Sequence, residues 1–214
     1  SKIVLNTNSF VQIKYTATAR IIDLQRGELH IDVAHDKSRP LSVVAGGKII
    51  QAVGTAFNVD LRSQLVELLV TDGKVLVGAQ KTDLMTINTD KENLRLPSSS
   101  MAVSKGEKIA LDLIGHQQEA AIKVNPLEMA ASLSWRQGNL IFHGESLANA
   151  LDEISRYTNI KFELADDEKL RSVKVAGMFK TGDVTGLLNV LNQSFNISHE
   201  QISHDKIALK YSGS

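Results

Sequence analysis

The apolar residues change their spacing partway along the chain, and that change constrains the fold more than any other feature. From Ala17 to Leu113 the signal is β. Between Arg20 and Val33 the alternation runs through Ile22 and Leu24, then Leu29, Ile31 and Val33, with a break at Gln25-Arg26-Gly27. Such alternation places the apolar side chains on one face of a strand. After Trp135 a helical period appears. Leu147, Ala150, Leu151 and Ile154 stand at i, i+3, i+4 and i+7, the stripe of an amphipathic helix. This switch predicts an all-β N-terminal part and an α+β C-terminal part.

Glycines punctuate the first part. Thr71-Asp72-Gly73-Lys74 lies between Leu65–Val70 and Val75–Val77, and Asp-Gly between apolar runs predicts a hairpin because both turn residues tolerate positive φ. Ala45-Gly46-Gly47-Lys48 and Ser104-Lys105-Gly106-Glu107 are weaker turns of the same kind. Gly27, Gly47, Gly73 and Gly106 are each followed by a charged residue and a β-rich run. Their spacings of 20, 26 and 33 are too irregular for a strict repeat. They predict solenoid-like stacked hairpins with inserted loops. The polar segment Gln80–Ser100, with Pro97 and three serines, reads as a surface insertion.

Domain organisation follows. Residues 1–114 form the all-β subdomain, 115–134 a connector with a short helix, and 135–214 the α+β subdomain. Asn125-Pro126 starts the connector helix, with asparagine as N-cap and proline at the first helical position. In the last part, Leu140–Phe142 is a strand and Ser146 caps the Leu147–Ile154 helix. Ile160, Phe162 and Leu164 alternate, as do Val173, Val175, Gly177 and Phe179. Asp183 caps a helix with Val184, Leu187, Leu188 and Leu191 inward. Ile197–Ile202 then pairs with Ile207–Tyr211 across His204-Asp205. The order is β-α-β followed by β-α-β-β, summarised as βαβ-βαβ.

Composition narrows the function. Lys+Arg and Asp+Glu number 24 each, and 43% of the 214 residues are hydrophobic. Zero formal charge argues against a dedicated nucleic-acid binder, which needs a cationic surface to displace counterions. The apolar content argues against disorder. Without cysteine there are no disulfides, thiolate metal sites or cysteine nucleophiles. No run is long enough to span a bilayer and no signal-peptide core is present. The chain begins at Ser1 rather than Met, which predicts an excerpt with any targeting or membrane segment upstream.

A set of motifs, in order, is similar to the FecR family. Val53-Gly54-Thr55-Ala56-Phe57-Asn58-Val59 carries the closest resemblance. Gly27 to Asp36 followed by Arg39-Pro40, and Val70 to Val75, fit the same family. Trp135 to Phe142, then Leu147, Leu151, Glu153, Arg156 and Tyr157, resembles the family's C-terminal part, which looks like the STN module of secretins and TonB-dependent receptors. Leu41 departs from the aromatic residue often found after the proline, and Gln80–Ser100 is longer than the family pattern.

The resemblance implies an inner-membrane sigma regulator (anti-sigma factor) of Gram-negative cell-surface signalling. Residues 1–114 would be the juxtamembrane subdomain and 135–214 the STN-like signalling subdomain, both periplasmic, following one upstream transmembrane helix. The implied partner is the N-terminal signalling domain of an outer-membrane TonB-dependent siderophore transporter, and the implied output is release of an iron-starvation sigma factor. No enzyme activity, cofactor, metal, nucleic acid or membrane insertion of this fragment is implied.

The residues themselves offer little chemistry. His30 and His35 fall on opposite faces of a strand, His199 and His204 flank a turn, and His116 and His143 stand alone, so none pairs at metal-ligand spacing. Gly144-Glu145-Ser146-Leu147 lacks the second glycine of a nucleophile elbow, and helix capping accounts for Ser146. Gly46, Gly47 and Gly54 lack the lysine and helix of a phosphate loop. Asp166-Asp167-Glu168 reads as a solvated turn.

Gly54 to Phe57 is either a contact loop or, preferred here, a tight β crossing with Phe57 buried. Gly73 is assigned to a turn, and Trp135 to an anchor between subdomains.

Partner binding needs a surface without chemistry, and an open strand edge supplies one. Val173, Lys174, Val175, Ala176, Gly177, Met178 and Phe179 are the first candidate. Val173, Val175 and Phe179 would face inward, with Lys174, Ala176 and the adaptable Met178 outward. Ile207–Tyr211 is the second candidate edge. Two other classes compete: a glycan- or envelope-binding β module, disfavoured by 5% aromatic content, and a hydrolase, disfavoured by the lack of a nucleophile–base pair.

Overall fold

The computed structural model describes residues 1–79, 95–115 and 119–212. Most of the predicted insertion Gln80–Ser100, and His116, lie outside them. The chain divides into two compact units, Ser1–Met129 and Ala130–Ser214.

In the first unit, eleven strands among the described residues form one curled sheet. Its organising element is β3 (Arg20–Asp32), whose N-terminal half pairs with β2 (Phe10–Tyr15) and, in parallel, with β4 (Leu41–Ala45). The C-terminal half pairs with β1 (Lys2–Leu5) and β6 (Ala56–Leu61), both antiparallel. The sequence break at Gln25–Gly27 is where β3 passes from one set of neighbours to the other. Gly27 has φ 83° there, and Ser9 fills the place its Cβ would take. One side of the sheet continues through β7 (Leu65–Asp72), β10 (Glu107–Asp112) and β11 (Ile122–Lys123). The other continues through β5 (Lys48–Ala52), β8 (Lys74–Ala79) and β9 (Met101–Ser104). Both contribute to one buried cluster, in which Ile22, Leu29, Leu41, Ile50, Phe57, Leu68, Val75 and Leu111 are wholly enclosed.

Consecutive strands do pair antiparallel along this sheet, as in β2–β3, β4–β5, β6–β7 and β8–β9, but two of the predicted turns are corrected by the topology. The Gly46-Gly47 turn does join the hairpin β4–β5. The Asp72-Gly73 and Lys105-Gly106 turns do not close hairpins. β7 pairs with β6 and β10, whereas β8 pairs with β5 and β9. At both glycines the chain crosses between the two sides of the curled sheet. The crossings lie together, with the Lys105 amide donating to the Gly73 carbonyl at 2.8 Å and the Gly106 amide to the Val70 carbonyl at 2.9 Å. Positive φ permits a reversal, but the strands it joins go where Val66, Leu68, Val70, Val75 and Val77 can all reach one core.

A buried polar clip fastens the first residues to this sheet. The Glu28 carboxylate accepts from Asn6 Nδ2 at 2.6 Å and Asn58 Nδ2 at 2.8 Å. The stretch 115–134 is partly structural, since β11 pairs with β10, and Lys48 forms an ion pair with Glu119 at 2.5 Å. The helix α1 (Pro126–Ser132) begins as read, the Asn125 side chain accepting from the Leu127 and Glu128 amides.

The second unit mixes helices and strands. Its elements are β12 (Asn139–Ser146), α2 (Leu147–Ser155), β13 (Lys161–Leu164), α3 (Glu168–Ser172), β14 (Lys174–Lys180), α4 (Val184–Phe195), β15 (Ile197–Ser203) and β16 (Lys206–Tyr211). Ser146 accepts from the Asn149 amide at 3.2 Å and Asp183 from the Gly186 amide at 2.9 Å, so both helices start at the residues read as caps. The acidic run includes a cap as well: Asp167 accepts from the Lys169 amide at the start of α3.

The expected βαβ units are not sheets in themselves. β12 pairs antiparallel with β14, while β13 joins a separate sheet in the order β13-β16-β15. The strands flanking α2 therefore lie in different sheets. This suits a helix whose stripe of Leu147, Ala150, Leu151 and Ile154 is buried. Ile207–Tyr211 is corrected: β16 is the central strand, with a neighbour on each side, and cannot be an edge.

Candidate partner-binding site

The residues proposed to meet a partner lie on β14. Val173 is the exception, as it caps the C-terminus of α3 and its carbonyl accepts from the Leu147 amide at 3.1 Å. From Lys174 onward the strand alternates as read. Val175 is buried and Phe179 half-buried, its ring 5.8 Å from that of Phe142 on β12. Lys174, Ala176, Met178 and Lys180 are exposed, Met178 at 67%. Gly177 has φ 139°, an extended form restricted to glycine, opposite Phe142.

β14 has β12 along one side and, among the described residues, no strand along the other. Its backbone there can accept a further strand. On the exposed face its cross-strand neighbours are Asn139, Ile141, His143 and Ser146 of β12. Glu145 stands beyond a bulge in β12, its carboxylate turned back onto the His143 amide at 2.5 Å.

The other singled-out residues are packed. Phe57 is fully buried in β6 and Thr55 nearly so. Gly54 has φ 67° with His35 over it, and Gly73 has φ 77° with Thr55 Cγ2 2.7 Å from where its Cβ would stand. Trp135 sits in a 3-10 turn of the second unit and is buried, its indole N–H without a hydrogen-bond partner among the described residues. His30 is buried beside Asp32, with Nε2 3.5 Å from the carboxylate. Among the described residues no cluster of three or more His, Asp or Glu is placed to hold a metal ion, and no helix is long and apolar enough to cross a membrane.

Two carboxyls in turns are held below their ordinary value. Asp36 is lowered to about 2, first by the Ser38 hydroxyl and then by Arg39. Asp205 is lowered mainly by the Ser203 hydroxyl.

One exposed row escaped the sequence reading, which started the β region at Ala17. Phe10, Ile13 and Tyr15 of β2 are each about half exposed. The alternation of Val11, Ile13 and Tyr15 was the available signal.

Comparison with known proteins bears on both units. The FecR family model, "FecR protein", matches residues 1–76, and "FecR, C-terminal" matches residues 139–209. Two crystal structures of a protein described as a candidate anti-sigma factor, from Parabacteroides distasonis ATCC 8503, are similar, each with 19% identity and a TM-score of 0.70. The first covers 97% of this chain and 89% of that one, and the second 99% and 90%. No curated protein matches the sequence. The fold is thus that of a two-part β and α+β protein shared with those structures. The chain belongs to the FecR family.

Proposed function

We propose that this chain is the partner-sensing portion of an anti-sigma regulator, residing in the periplasm of a Gram-negative bacterium and anchored through an upstream transmembrane helix. Its second unit, read as STN-like, binds the N-terminal signalling domain of a TonB-dependent siderophore transporter. Binding shifts the conformational population toward one that exposes the juxtamembrane segment to regulated proteolysis, and an iron-starvation sigma factor is released. The reading assigns the chain no catalytic step: its output is a change of conformation. The observation that carries it is the pair of FecR matches, one in each unit. The anti-sigma description of the P. distasonis structures and the open side of β14 support it.

The test is a calorimetric titration of the chain with the signalling domain of its cognate transporter. Saturable binding, weakened by Met178→Asp, is the expected result. Binding untouched by that change moves the interface elsewhere, and no binding removes the reading. The exposed Phe10 and Tyr15 on β2 favour one competitor, a glycan- or envelope-binding module. Retention on peptidoglycan, lost in a Phe10→Ala/Tyr15→Ala variant, would establish it instead.

A further inference from the structure

The side chains that β14 leaves exposed have a definite order. Lys174, Ala176, Met178 and Lys180 alternate along one face, so two cations bracket two uncharged side chains. The cross-strand neighbours do not neutralise them. Lys174 lies opposite Ser146 and Lys180 opposite Asn139. Glu145, the only carboxylate on the two strands, is engaged by a backbone amide of its own strand. On α3, among the described residues, Glu168 forms no ion pair with either lysine, Arg171 is held by Asp166 and Lys169 lies over the Tyr211 ring. Among the described residues neither Lys174 nor Lys180 makes an ion pair.

A strand added along the open side of β14 would place alternate side chains beside this row. Two consequences follow from the pattern alone. Side chains beside Ala176 and Met178 must be apolar to avoid burying a polar group against them. Side chains beside Lys174 and Lys180, six residues and about 20 Å apart, gain most by being acidic.

We propose that β14 receives an extended protein strand carrying acidic residues six positions apart, with apolar residues at the two alternate positions between them. This rests on the reading of β14 as the partner-binding edge, and adds to it the chemistry of the partner. Charge order also sets register: a shift by two positions would set a carboxylate beside Ala176 or Met178 and leave both lysines unmatched.

The test uses the 214-residue chain and two soluble peptides. One carries Glu-Thr-Val-Thr-Val-Thr-Glu, and the other is identical with lysine in place of both glutamates. Fluorescence anisotropy gives affinity, and hydrogen exchange locates the contact. The expected result is that the glutamate peptide binds about tenfold more tightly, the size of effect two exposed ion pairs give. The amides of Lys174–Lys180 gain protection, and Lys174→Glu/Lys180→Glu reverses the preference. Equal affinities, binding of neither peptide, or protection in another strand would overturn the proposal. A parallel titration with the transporter signalling domain separates the two readings. Binding of that domain unchanged in the double variant leaves the partner reading standing and removes the charge pattern. Peptide binding at β14 without binding of that domain does the reverse.

Discussion

The two units handle sheet edges in opposite ways. In the first, one long sheet curls around a single core, and most of its strands have neighbours on both sides. In the second, five strands are divided between sheets of two and three, so only β16 is flanked twice. An edge strand presents unpaired backbone groups, which a protein must cover, blunt with charge or use. β14 carries a lysine at each end and a methionine between them, blunted against random pairing yet open to a matching strand. On the proposed reading, the unit with the large β core carries the stability and the unit with many edges carries recognition.

Trp135 is the only tryptophan and lies in the second unit, so its fluorescence reports that unit while strand circular dichroism is dominated by the first. Phe57→Ala should have the largest effect, about 3–5 kcal/mol, because it empties the centre of the first core. Denaturant titration should show the dichroism transition moving to lower concentration and the Trp135 transition staying in place. If both move together, the units are not independent in stability.

Gly73→Ala comes next, at about 1–2 kcal/mol for left-handed backbone plus the displacement of Thr55. It should act on the same transition, since that glycine serves a crossing within the first sheet. Asp183→Ala removes the cap of α4 and should cost about 1 kcal/mol, this time in the Trp135 transition. Met178→Asp sharpens the comparison from the other side. The residue is mostly exposed, so stability should change by no more than about 0.5 kcal/mol while partner binding falls.

Much of the second unit was legible. Ser146 and Asp183 cap the helices their spacing indicated, and the inward and outward residues of β14 follow the alternation read from Val173 to Phe179. The edge status of β14 was not contained in that alternation. Ile207–Tyr211 has the same kind of pattern and is central. Nothing in either strand's residues tells which neighbours it will acquire, because pairing partners come from distant segments.

The four glycine-plus-charge motifs show where the boundary lies. Residues 27, 47, 73 and 106 are all glycines with positive φ, as their local sequences required. Caps, turns and side-chain faces are settled among residues three or four apart, so the sequence by itself determined them. Tertiary structure then made Gly27 a bend within β3, Gly47 a hairpin, and Gly73 and Gly106 crossings between the two sides of a curled sheet. It decided so because burying every apolar face in one core is a property of the whole chain, and no four-residue turn can encode it.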